Sequence, residues 1–205
     1  MKIKPNRLKK GDKIAILAPA SPPSNPYTVR RSIQVVSDLG FKPIPGKCIF
    51  QRHGYLAGSD EERAEDLMNA FKDTSIAGIF FIRGGYGCAR LLPLLDFQEI
   101  KNNPKVLLGF SDITSLHLAI TKMADLVTFH GPNIDSAFIE QAQDHFTVRS
   151  AMDLITSKHP DKQPMINEQF PIKHSIWHSS GRNSPSLLTL RNCYHTIIVN
   201  TIHRS

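Results

Sequence analysis

No apolar run in the chain approaches the roughly 20 residues that a membrane helix needs. The first eleven residues are basic and polar, without the apolar core of a signal peptide. A cytoplasmic chain beginning near Met1, with no membrane partner, is therefore expected. Cysteine is also scarce: Cys48, Cys88 and Cys193 are odd in number and far apart. They form neither a disulfide framework nor a zinc pattern, so free thiols in a reducing compartment are expected. Acidic residues are missing altogether from residues 171–205, where Lys173, Arg182, Arg191 and Arg204 add four positive charges. That tail holds more than half of the formal net charge of +7. The rest is spread thinly and no basic stripe alternates with aromatics, which argues against a nucleic-acid partner. Internal repeats and low-complexity tracts are absent as well.

What is present is ordinary for a folded protein: 205 residues, 40% hydrophobic and 21% charged. This length allows one complete α/β domain and part of a second. Residues 13–18 (KIAILA) form a short apolar run before a Pro-rich loop, as a buried strand would. Val29, Ile33, Val36 and Leu39 then recur at helical spacing and stop at Gly40, a C-terminal helix signal. Residues 41–44 suit the next strand. Ser59 with Glu62 forms a capping box ahead of Ala64, Leu67, Met68 and Phe71, which share one helical face. Further strands are predicted over 79–82, 106–110 and 126–130, and Ile113, Leu116, His117 and Ile120 mark a helix between the last two. A final helix is predicted over about 144–156.

Strands alternating with helices at this rhythm imply an α/β fold, an open, mostly parallel sheet flanked by helices. The expected organisation is a domain over 1–156, a Pro- and Lys-containing linker over 157–171, and an incomplete second domain, remnant or disordered, over 172–205. Ligands of such sheets bind at the carboxyl ends of the strands. Two unusual loops fall there.

The first, Arg83-Gly84-Gly85-Tyr86-Gly87, follows a predicted strand. Its glycines permit positive φ and leave backbone N–H groups unobstructed, which suits an anion, an oxyanion or simply a tight turn. It is neither a dinucleotide fingerprint nor a P-loop. The second, Gly109-Phe110-Ser111-Asp112-Ile113, places a serine between a strand and a helix. That is the setting of a nucleophile elbow, although Ile113 stands where the second glycine of G-x-S-x-G would be. A helix cap by Ser111 or Asp112 is the plainer alternative. His130 closes a predicted strand beside these loops, as a pocket-wall or hydrogen-bonded residue. His117 reads as packing. None of the histidines has the spacing of a metal site.

Taken together these segments resemble the LD-carboxypeptidase family, which includes muramoyltetrapeptide carboxypeptidases and microcin-immunity peptidases. The stretches that carry the resemblance are Leu8-Lys9-Lys10-Gly11-Asp12 leading into residues 14–21, Phe81 to Gly87, Arg90-Leu91-Leu92-Pro93, Gly109 to Thr114, and His130-Gly131-Pro132. It spans about residues 4–155. The resemblance implies a serine peptidase that cleaves the amide between an L- and a D-amino acid in peptidoglycan tetrapeptides, releasing D-alanine during cell-wall recycling. Ser111 matches the nucleophile. The backbone N–H groups of Asp112 and Gly85 match the oxyanion hole, and Arg83, Gly84, Tyr86 and His130 line the substrate site. No metal or organic cofactor is implied, the partner is a muropeptide, and a homodimer is one assembly the family allows.

The remaining triad members of the family are a Glu and a His in a second domain. After Ile155 the only Glu is Glu168, and no family motif surrounds it. Ser186-Leu187-Leu188-Thr189 echoes a family stretch but lacks its Gly-Gly-Asn lead. One hypothesis is a frame change near residue 180, which resequencing would refute by finding no downstream frame for the missing domain. Impaired hydrolysis is thus expected. A catalytically silent muropeptide-binding domain and, further off, a phosphate-binding domain using residues 84–87 are the competing readings.

Overall fold

A computed structural model describes residues 2–139, 146–157 and 198–199. Five parallel strands form the sheet: β1 (Lys13–Leu17), β2 (Lys42–Pro45), β3 (Ile76–Phe81), β4 (Val106–Gly109) and β5 (Phe129–His130). Their spatial order is β2-β1-β3-β4-β5, and a two-residue β6 (Ile198–Val199) adds antiparallel to β5. The chain leaves β1 for β2 on one side and then crosses to β3 on the other. That reversal opens a crevice between the carboxyl ends of β1 and β3, where doubly wound sheets bind ligands.

Both faces of the inner strands are buried, while the edge strand β2 is largely exposed, and the two-residue period of the inner strands divides the core between the faces. Ile14, Ile16, Phe80, Ile82 and Leu108 face α1 (Pro26–Asp38) and α6 (Phe146–Thr156). Ala15, Leu17, Ile79, Phe81 and Leu107 face α2 (Asp60–Lys72), the short α3 (Cys88–Leu91) and α4 (Phe97–Asn102), and α5 (Thr114–Met123). The helices begin and end on local chemistry. Asn25 accepts from the Thr28 N–H at the start of α1, with Pro26 in the first turn, and Gly40 follows its end at φ +88°. The Ser59–Glu62 capping box is formed at the start of α2.

The predicted strand over 126–130 is shorter than expected. Asp125 adopts a positive φ of 57°, and Leu126 forms an isolated parallel bridge with Ile3. The Asp125 carbonyl and the Val127 N–H bond to the backbone of Ile3, so only Phe129 and His130 remain to pair with β4. The predicted helix over 144–156 starts at Phe146, and its first two positions lie outside the described residues, as do all of the expected linker but Ser157 and all of the 172–205 segment but β6. Cys48 and Cys88 are buried free thiols, and Cys193 falls outside the described residues. Burial pushes the Cys88 thiol up and, with the Asp66 carboxylate beside it, raises Cys48 to about 12, so neither is a ready thiolate. Among the described residues, no helix is long and apolar enough to cross a membrane.

This two-sided core makes a simple contrast testable. Leu107→Ala, in a fully buried strand position, is expected to lower unfolding free energy by about 2–5 kcal/mol in urea titrations. Leu118→Ala, on the exposed side of α5, is expected to change it by less than about 0.5 kcal/mol.

Candidate active site

The carboxyl end of β4 runs through Gly109 and Phe110 into Ser111, which has a φ of +65°. A non-glycine residue in this left-handed region costs on the order of 1–3 kcal/mol and persists only where its surroundings enforce it. Residues 111–113 then form a 3-10 turn that leads directly into α5. The Ser111 side chain is exposed, caps no helix, and makes no hydrogen bond among the described residues. The cap alternative for Ser111 is therefore not what the structure has. Asp112 does not cap α5 either, because its carboxylate accepts a 2.8 Å bond from the Cys88 N–H, at the end of the glycine-rich loop.

That loop lies against the serine. A Cβ built on Gly84 would come 3.0 Å from the Ser111 Cβ, 3.2 Å from its Oγ and 3.4 Å from the Asp112 nitrogen. Such distances are tighter than ordinary Cβ contacts, so a side chain at Gly84 would have to displace its neighbours by a few tenths of an ångström. Gly85 has φ +117°, and a Cβ there would strike the Ser21 Oγ at 2.1 Å. The loop after β1 is thus drawn in as well, and the Ser21 N–H donates to the Gly84 carbonyl at 3.2 Å. Ser111, Asp112, Gly84 and Gly85 therefore come together, with Ser21, the end of the matching stretch 14–21, as a neighbour not singled out from the sequence.

The other candidates sit around this centre. Arg83 donates to the Ser24 Oγ at 3.1 Å and lies 4.0 Å from the Asp135 carboxylate. Tyr86 points outward and packs its ring on Tyr55, with centroids 6.0 Å apart. His130 turns inward: its ring lies 5.9 Å from that of His117, its buried Nδ1 has no hydrogen-bond partner among the described residues, and it makes no hydrogen bond to Ser111. Burial lowers its pKa. His117 is fully buried, and its Nε2 donates to the Gly109 carbonyl at 2.8 Å. A carbonyl only accepts, so this contact places a hydrogen on Nε2, and burial keeps the ring neutral. His117 thus anchors the strand end as well as packing.

Two more residues shape the rim and gave no motif signal. Arg63, fully buried in α2, donates to the backbone carbonyls of Pro19, Gly58 and Gly87 and pairs with Asp60. It joins the loop after β1 to the glycine-rich loop. Asn133, also buried, contacts both polar atoms of the Phe110 backbone. An exposed hydroxyl on a strained strand–helix turn, beside a glycine-rich loop and ahead of a helix N-terminus, can present an oxygen nucleophile.

Comparison with known proteins agrees with this geometry. Residues 14–131 match the LD-carboxypeptidase N-terminal domain of peptidase family S66. The chain belongs to the LD-carboxypeptidase family. It is 41% identical over 133 residues to a Bacillus subtilis protein named "Probable murein peptide carboxypeptidase", covering 65% of this chain and 41% of the relative. A murein tetrapeptide carboxypeptidase of Pseudomonas aeruginosa is 37% identical over 121 residues, 58% of this chain and 39% of the relative. Among solved structures, an MccF-like protein from Bacillus anthracis superposes with a TM-score of 0.71 at 31% identity, over 76% of this chain and 47% of that one. The chain thus spans well under two-thirds of the length of these relatives.

The buried His117 gives a pH signature. Burial lowers its pKa from 6.5 to about 4. The unfolded chain therefore takes up a proton between pH 6.5 and 4 that the folded chain refuses. The stabilisation is complete above about pH 6.5 and fades as pH falls toward 4, by up to about 3 kcal/mol. His117→Gln removes this titration, and its melting temperature is expected to fall less than that of the parent between pH 7 and 4.5. Equal losses would contradict the assignment.

Proposed function

We propose that this chain is the nucleophile-bearing part of a serine-type LD-carboxypeptidase that releases terminal D-alanine from muramoyl or peptidoglycan tetrapeptides in cell-wall recycling. The observation that carries this reading is the left-handed, exposed, unbonded Ser111 packed against Gly84 at the end of β4. Ser111 Oγ attacks the carbonyl carbon of the L,D-amide, and a base takes its proton. The carbonyl oxygen becomes an oxyanion held by the backbone N–H groups of Asp112 and Gly85, each donor worth about 3 kcal/mol in such sites. Collapse of the tetrahedral intermediate breaks the C–N bond, and the proton goes to the leaving D-alanine amine. Water then hydrolyses the acyl-serine. Arg83 offers its guanidinium to a substrate carboxylate, while Gly84, Tyr86 and His130 line the approach.

Among the described residues, no group is placed to act as that base. Ser111 has no hydrogen-bonded partner among the described residues, and the Glu and His that the family places in a second domain have no match in this sequence. Absence of triad members costs several orders of magnitude in rate. The domain division at 156, the linker and the remnant beyond it belong to the same reading. So does the second one, a muropeptide-binding domain that has lost turnover, which the unpartnered Ser111 favours. A cytoplasmic setting and a homodimer fit either.

The test is incubation with a muramoyl tetrapeptide, following both binding and D-alanine release. Saturable binding is expected, with release at least about 1,000-fold slower than that of a complete family member and abolished in Ser111→Ala. Release at the full rate would overturn the impairment. Release that survives Ser111→Ala would remove Ser111 as the nucleophile.

A further inference from the structure

We infer that Asn133 is a positioning residue for the Ser111 elbow, holding the peptide units before the serine so that its left-handed conformation persists. The Asn133 carboxamide reaches back 23 residues to Phe110. Its Oδ1 accepts from the Phe110 N–H at 3.1 Å, and its Nδ2 faces the Phe110 carbonyl at 3.5 Å. Both polar atoms of the residue immediately before Ser111 are thereby engaged by one buried side chain. The fit is close, since a Cβ on Gly109 would lie 3.0 Å from the Asn133 Oδ1 and 2.8 Å from the Phe81 ring.

The neighbours of Asn133 hold the same strand ends. The Gly131 N–H donates to the Gly109 carbonyl at 3.0 Å, which also accepts from His117. The Asp135 N–H donates to the Ile82 carbonyl at 3.0 Å, just ahead of the glycine-rich loop. Residues 131–135 thus tie the end of β3 to the end of β4, with Asn133 at the centre. Phe110 itself is extended, at φ −143° and ψ −173°, and Ser111 then turns to φ +65°. A reversal of that kind needs the preceding peptide to be immobile, because otherwise the strain relaxes by rotation about Phe110 ψ and Ser111 φ. A carboxamide accepts from an N–H with its oxygen and donates to a carbonyl with its nitrogen, so this one side chain can serve both groups.

The consequence for the reaction rests on the function proposed above. The consequence for the backbone does not, so the decisive experiment uses stability and needs no turnover. Ser111→Gly removes the left-handed penalty and is expected to raise the melting temperature of the full chain by about 2–4 °C, the shift for about 1 kcal/mol at this size. Asn133→Ala lowers it, and in that background Ser111→Gly is expected to recover less than half of its gain, because the elbow has already relaxed. Asn133→Asp, which keeps the shape and the acceptor for the Phe110 N–H but loses the donor at neutral pH, is expected to give an intermediate gain and supplies the comparison should the alanine variant not fold. The same gain from Ser111→Gly in every background would overturn the inference. A coupled pair alongside absent D-alanine release would leave the inference standing and count against the proposed function alone.

Discussion

Three loops approach one another at the carboxyl edge of the sheet around the close contact between Gly84 and the Ser111 side chain. The serine sits at φ +65° between β4 and α5, and Gly84 lies so close that any Cβ would press on its own Cβ and Oγ. Around that contact, Gly85 has a positive φ and no space for a Cβ beside Ser21, the Asp112 carboxylate takes the Cys88 N–H, and Arg63 ties the carbonyls of Pro19 and Gly87. Strain at one residue is sustained by hydrogen bonds from α2, α5 and the loop after β5.

Burial then sets the chemistry available. His117 and His130 lie under the site with lowered pKa values, and their inward Nδ1 atoms are not exposed to a substrate proton. Such imidazoles stay neutral near pH 7 and support the strand ends. The exposed Ser111 hydroxyl, by contrast, has no hydrogen-bonded partner among the described residues. Its geometry is separable from the group that would take its proton, because binding geometry and proton transfer are distinct contributions to catalysis.

Much of the fold was legible from periodicity. The short apolar runs at 13–18 and 79–82 mark strands buried on both faces, and the capping box at Ser59 marks the start of α2. The glycine-rich and serine turns were legible as loops at strand ends. Arg63 was not, because an arginine in a helix with Asp60, Glu61 and Glu62 around it reads as solvated charge, whereas here it is buried beneath carbonyls up to 44 residues away. Asn133 was hidden for the same reason: its partner is 23 residues distant, and nothing local distinguishes it from a turn asparagine. The strand over 126–130 was overestimated because the N-terminal Ile3 takes hydrogen bonds that periodicity assigns to the sheet.

The central claim is that Ser111 is held as an oxygen nucleophile facing a ready oxyanion site. A crystal structure of the chain soaked with a peptide boronic acid tests it most directly, since boron bonds a serine oxygen and mimics the tetrahedral intermediate. The account expects a boron–Oγ bond at Ser111, still in the left-handed region, with one boronate oxygen within hydrogen-bonding distance of the Asp112 and Gly85 N–H groups. A boronate bound elsewhere, or a Ser111 with negative φ, would contradict it.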